Sequence, residues 1–137
     1  LASGLMWSSY SAYSSGALVA GVAQNPVAKA KLQFNGQDRF QEREGGFFSL
    51  VQPVSHHTAC PSDRGINVYS FAINPEQHQP QGTANFSRLD TVSLKLTLNP
   101  ASGSGSSASY AYNVKVYAIN YNILKMENGL AGVIYSS

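Results

Sequence analysis

INVYSFAINPEQHQPQGTANFSRLD, residues 66–90, is the stretch on which the reading of this chain turns. Residues 66–73 are rich in β-branched and aromatic side chains, which suit a pleated, half-buried surface. Ile66, Val68, Ser70 and Ala72 share one side of such a strand, and Asn67, Tyr69, Phe71 and Ile73 the other. Apolar groups on both sides predict a central strand covered twice. Residues 74–82 read as a polar loop stiffened by Pro75 and Pro80 and closed by Gly82. Asn85-Phe86-Ser87-Arg88-Leu89-Asp90 follows as a compact turn, and residues 91–98 as the next strand. No residues in the stretch have the spacing of a nucleophile, its base and an oxyanion site.

Working outward, Val92, Leu94, Leu96 and Leu98 alternate with Ser93, Lys95 and Thr97, the pattern of a strand buried on one side. Upstream, Ala28, Ala30, Leu32 and Phe34 share a face opposite Lys29, Lys31 and Gln33. Asn35-Gly36 comes next, a strong hairpin signal because both residues tolerate positive φ. Its return arm is expected over residues 37–41, polar and at a sheet edge, followed by a charged connector over 42–46. Residues 47–52 allow one or two helical turns, with Pro53 as the stop. Residues 56–65 read as loop with a turn at Pro61-Ser62-Asp63. Residues 99–109 are a Gly- and Ser-rich loop, 110–123 the longest β-like run, 124–129 a turn and 130–135 a last strand. Residues 5–13 suggest a strand around Trp7, and 18–22 a hydrophobic loop or edge. Six or seven strands with almost no helix predict an all-β sandwich, taken as a single domain over 1–137.

Composition narrows the function classes. Charged residues make up 12% of the chain, against about 25% in typical domains. Such a surface suits either an uncharged secreted-type module or one that packs against its own copies, since interface cores are depleted in charge. The formal net charge is +2 with the basic residues scattered singly, so no direct nucleic-acid contact is expected. Cys60 is the one cysteine, which rules out an internal disulfide and fits synthesis in a reducing compartment. The longest apolar stretch, 16–23, falls well short of the ~20 residues of a membrane span, and no membrane insertion is expected.

Sharper readings lose to plainer ones. His56, His57 and His78 lack ligand spacing, and hydrogen-bonding loop histidines are favoured over a metal site. Cys60 has no orienting group for nucleophilic work beside His57. Asp63, Asp90 and Glu76 read as turn and cap residues rather than paired catalytic carboxylates. Asn85-Phe86-Ser87 is a formal N-glycosylation sequon, a weak signal at Asn85. Tyr110, Tyr112, Tyr117 and Tyr121 invite a sugar-stacking platform, although packing is the commoner use of such rings. No catalytic residue, metal or cofactor is expected.

The chain resembles the double jelly-roll major capsid proteins of nucleocytoplasmic large DNA viruses. The likeness rests on an ordered set of pieces. They are Asn35-Gly36-Gln37-Asp38-Arg39-Phe40, Phe48-Ser49-Leu50-Val51-Gln52-Pro53, His56-His57, and residues 66–71 with Tyr69 and Phe71. His78-Gln79-Pro80-Gln81-Gly82, the 85–90 turn, residues 117–124 and residues 129–136 complete it. The resemblance implies the second, C-terminal jelly roll of a two-roll protein, with further strands expected before Leu1. It also implies a structural role: homotrimers of pseudo-hexagonal outline that tile an icosahedral capsid, assembled in the host cytoplasm. Implied partners are other copies of the subunit, neighbouring capsomers and, as a further candidate class, minor capsid proteins. The competing class is a lectin-like carbohydrate-binding sandwich.

A physical basis for the signature follows. Pro75, Pro80 and Gly82 lower the entropy lost on ordering the loop. Asn85, Ser87 and Asp90 are suited to bond backbone groups in the turn. Arg88 offers a planar fork to an acidic or carbonyl partner, and Phe86 a plug for the core.

Overall fold

The computed structural model describes residues 2–9, 18–19, 22–23, 25–99 and 113–135. The expectations on residues 10–13, on the 99–109 loop beyond Asn99, and on Tyr110 and Tyr112 therefore lie outside the described residues. Eleven β segments are present among them. They are β1 Ala2–Ser9, β2 Leu18–Val19, β3 Val22–Ala23, β4 Val27–Phe34, β5 Gln37–Asp38 and β6 Arg43–Glu44. After a helical segment come β7 Ile66–Ser70, β8 Val92–Leu98, β9 Val114–Asn120, β10 Leu124–Glu127 and β11 Leu130–Val133. The all-β expectation holds; the number of segments is larger because edge strands are broken into two-residue pieces.

Two sheets form the layers. In one, β4 pairs along its whole length with β8, from Val27↔Leu98 to Phe34↔Val92. Its other edge takes β5 at Gln33↔Asp38 and β6 at Lys29↔Glu44. The expected return arm after the hairpin is thus two short pieces, and β6 lies inside the stretch read as a connector. The second sheet has the order β7-β1-β9, all antiparallel. β7 is covered on both faces as expected, but among the described residues it pairs only with β1 and is not central. It also ends at Ser70, three residues early. There the Ser70 hydroxyl donates to the Ala72 carbonyl at 2.6 Å and accepts from the Ala72 amide, which diverts the backbone from the ladder.

Local chemistry explains most of the remaining boundaries. Asn35 (φ 50) and Gly36 (φ 80) make the β4–β5 turn with both φ values positive. Asn128 (φ 52) and Gly129 (φ 77) repeat that geometry between β10 and β11. Residues 124–129, read as a turn, are therefore a strand followed by a tight hairpin turn. In β4 a bulge between Val27 and Lys29 brings Val27 into the core beside Ala30 and Leu32, and leaves Ala28 half-buried.

Pro53 does not stop a helix. A π-turn, Phe47–Val51, runs into helix α1, Gln52–His56, with Pro53 in its first turn. Proline lacks the N–H that would continue the ladder, and the wide bond of the π-turn just before it carries the chain past that gap. The Gln52 amide reaches back to the Phe47 carbonyl, the wide bond that fits the ring into a continuous helical path.

The core sits between the β4–β8 sheet, β7 and this helical segment. Val27, Ala30, Leu32 and Phe48 are its buried centre, with Phe34, Phe40, Tyr69, Phe71, Phe86, Leu94, Leu96 and Leu98 packed around it. Of the four β8 residues expected on the buried side, Leu94, Leu96 and Leu98 are half-buried against the core and Val92 is exposed.

Candidate functional site

Three groups of signature residues occupy three different settings. The first is an aromatic chain through the core. Phe86 meets Phe34 and Phe71 edge to face, at 5.8 and 5.5 Å between ring centroids. Phe71 continues to Tyr69 at 5.1 Å, Tyr69 to Phe40 at 4.8 Å, Phe40 to Phe48 at 5.6 Å, and Phe48 to Phe47 at 5.2 Å. These separations lie in the favourable range for aromatic pairs. Arg43 lies over the end of the chain, 5.5 Å from the Phe47 ring centroid.

The second group consists of hydrogen-bonding residues at joints between elements. Buried Gln52 accepts the Ser70 amide through Oε1 at 3.2 Å, tying α1 to the end of β7, with buried Pro53 beside it. Asn35 ties the β4–β5 turn to the start of β8: its Oδ1 accepts the Thr91 amide at 3.0 Å, and its own amide donates to the Thr91 carbonyl at 2.9 Å. Asn85 caps the short 3₁₀ turn Phe86–Arg88, accepting the Ser87 amide and hydroxyl on Oδ1. Arg88 and Asp90 differ from expectation. Both are exposed, and neither side chain bonds a described residue. The turn closes through Asn85 and Ser87, with the Arg88 amide reaching the Asn85 carbonyl.

The third group is the 74–82 loop. Its ends are fixed: Ala72 is buried, and Gly82 adopts φ +126 with its position for a Cβ 3.0 Å from the Phe71 carbonyl oxygen. Only glycine fits both conditions. Between them Asn74 donates to Gln81 Oε1 at 2.8 Å, and Gln81 donates to Gln77. His56 is the last residue of α1 and His57 its C-cap, so the helix runs one residue into the stretch expected as loop. His56 Nδ1 lies 2.9 Å from the Ile73 carbonyl, and His57 Nδ1 3.1 Å from Glu76 Oε1. Glu76 also accepts the Thr58 hydroxyl at 2.7 Å and the Thr58 amide. Hydrogen bonds from the Thr58 hydroxyl, then from its amide, hold the Glu76 carboxyl below its ordinary range. Sequence reasoning missed this clasp, since Glu76 and Thr58 carry no pairing pattern. Among the described residues no three His, Cys, Asp or Glu side chains cluster as a metal site. Cys60 is exposed and faces the Leu50 carbonyl. Tyr117 is half-exposed, while Tyr121 donates to the Gln77 carbonyl at 3.4 Å.

A further surface escaped the sequence reading. β9, β10 and β11 are exposed at every position, and their apolar side chains are exposed with them. Val116, Ile119, Leu124, Met126, Leu130 and Val133 are the largest contributors among the described residues. An open apolar strand surface of this extent marks a contact site rather than a finished exterior. No helix among the described residues is long and apolar enough to cross a membrane.

The chain is thus an all-β protein of packed antiparallel sheets with exposed apolar strands, and comparison makes the class specific. The family model of the large eukaryotic DNA virus major capsid protein matches residues 4–132, and the chain belongs to that family. It is 56% identical over 114 residues to the major capsid protein of Phaeocystis pouchetii virus, covering 83% of this chain and 21% of that protein. It is 55% identical over 114 residues to the major capsid protein of Chrysochromulina ericina virus, covering 83% of this chain and 19% of that one. Among solved structures it superposes on the PBCV-1 protein whose crystal structure was fitted into a cryo-EM reconstruction of the virophage Sputnik. The TM-score is 0.78 at 28% identity, over 99% of this chain and 43% of that chain. The chain thus spans about a fifth of the length of these capsid-protein relatives.

Proposed function

We propose that these residues are part of the C-terminal jelly roll of a major capsid protein that assembles as a homotrimer. The trimers, of pseudo-hexagonal outline, tile an icosahedral shell, and the protein acts in the virion as a structural subunit with no catalytic step. The observation that carries the reading is the set of apolar side chains exposed along β9, β10 and β11, in a chain whose relatives are named as major capsid proteins. Burying such a face contributes roughly 25 cal/mol for each Å² of apolar surface, and few charges need desolvation in a chain with 12% charged residues. Partners are other copies of the subunit and, at the seams between capsomers, minor capsid proteins. Assembly takes place in the host cytoplasm.

The test is hydrodynamic. The full-length protein, purified and passed through size exclusion with light scattering, is expected to run as a trimer whether or not saccharides are present. A stable monomer that binds glycans on an array would replace the shell reading with the lectin-like one.

A further inference from the structure

The 74–82 loop is fastened on one side and forms a wall on the other. On the fastened side, His56, His57 and Thr58 hold the Ile73 carbonyl and the Glu76 carboxylate. On the other, His78 and Pro80 line a cavity of about 390 Å³ together with Tyr121, Ile123, Leu124 and Tyr135. The loop therefore separates the end of α1 from the apolar C-terminal strands. Its other bonds join exposed side-chain amides or run long: the Gln77 amide to the Asn74 carbonyl at 3.4 Å, the Ile73 amide to the Gln81 carbonyl at 3.3 Å, and the Tyr121 hydroxyl to the Gln77 carbonyl at 3.4 Å on the cavity side. Bonds to an ionised carboxylate are about twice as strong as neutral ones, and Glu76 gathers three donors. Ala72 is buried and Gly82 lies against the Phe71 carbonyl, so both ends of the span are set beside the end of β7.

We propose that residues 74–82 form a strap, closed beside the apolar cavity by the Glu76 carboxylate clasp, and that neutralising this carboxylate opens it. Opening widens the cavity that the strap walls, whose facing residues Ile123, Leu124 and Tyr135 are already about half exposed. The ionisable groups on the surrounding elements have distinct places. His57 touches Glu76; His56 is turned onto the Ile73 carbonyl; His78 lies on the cavity side; Cys60 faces the Leu50 carbonyl. The sign follows from the carboxyl being held below its ordinary value of 4.5. The clasp is complete above that value and is lost as pH falls through the lower, folded-state value.

Hydrogen exchange read by mass spectrometry on the full-length capsid protein tests this. With intrinsic rates corrected for pH, amides of 74–82 in Glu76→Gln at neutral pH are expected to exchange about threefold faster or more than in the parent. Thr58→Val, which removes the hydroxyl donor from the other side, is expected to act in the same direction. The parent is expected to show the same acceleration below the carboxylate range, and Glu76→Gln no further step. Protection in β4 and β7 is expected to stay unchanged in both variants. Unaltered exchange of 74–82 in Glu76→Gln, or equal acceleration throughout β4 and β7, would overturn the strap.

Discussion

Phe86 and Phe71 meet edge to face in the core, their ring centroids 5.5 Å apart and their planes at 88°. Phe71 follows directly on the end of β7 and Phe86 opens the 3₁₀ turn before β8, so this pair closes the polar loop between them at its base. Phe86 is half-buried, and its ring also touches Phe34 of β4. Truncating it removes the ring that joins the two layers at this end. Phe86→Ala is expected to lower the unfolding free energy by about 2 kcal/mol, less than a fully buried phenylalanine would cost. Phe86→Leu is expected to lose less than half of that. Urea denaturation of the full-length protein measures both; a change within experimental error for Phe86→Ala would remove its anchoring role.

Gln52 supplies the acceptor for the Ser70 amide at the point where β7 ends. Removing it leaves that amide without a partner in a buried setting, at a cost of about 1–3 kcal/mol. Gln52→Met keeps most of the side-chain volume but has no comparable acceptor, so it isolates the hydrogen bond from the packing. Both Gln52→Ala and Gln52→Met are expected to lower the thermal midpoint, with Met recovering only part of the loss. Full recovery by Met would show that Gln52 acts through its bulk alone.

How much of this was legible beforehand depended on range along the chain. Asn35-Gly36 predicts its hairpin because the two φ values are a property of those residues themselves. The same signal at Asn128-Gly129 lies inside a segment whose composition reads as one turn, which hides the β10–β11 hairpin. Alternation located β8 correctly. It misjudged the first residues of β4, since a bulge shifts parity by one and leaves no mark in the pattern. Pro53 was read by its usual effect on helix interiors, whereas here a π-turn carries the chain into it. The end of β7 depended on a hydroxyl competing with the ladder at Ser70. The aromatic chain and the Glu76 clasp join residues distant in sequence. Residue types could nominate Phe86 and His57, but only the folded arrangement supplies their partners.

Asp38 provides a pH probe at the β4–β5 hairpin. A hydrogen bond from the Gln33 amide, then one from the Lys31 ammonium, hold its carboxyl below the ordinary value of 3.8. A carboxyl lowered on folding contributes stability above its unfolded value and loses it as pH falls through the folded value. The stability difference between the parent and Asp38→Asn is therefore expected to be present at neutral pH and to vanish in strong acid. Gln33→Ala and Lys31→Ala are each expected to move that loss upward in pH, since Gln33 contributes a hydrogen bond and Lys31 a hydrogen bond and a charge. Chemical denaturation at a series of pH values checks this, and an unmoved loss in both variants would show that neither partner sets the carboxyl.

Leu130 and Met126 sit on β11 and β10, at 77% and 74% exposure. A substitution at a position left in water ordinarily changes stability by no more than about 0.5 kcal/mol. The capsid reading makes a different demand on these two, because a covered leucine or methionine replaced by a charge leaves that charge stranded in an apolar contact. Leu130→Lys and Met126→Lys are therefore expected to reduce the trimer fraction of the full-length protein, or its yield, well beyond the surface norm. In the 137-residue chain expressed by itself, the same changes are expected to raise solubility by removing exposed apolar surface. Opposite signs in the two settings identify surface that is covered in the full-length protein and open in the 137-residue chain. Equal, small effects in both would leave β10 and β11 facing solvent in the shell.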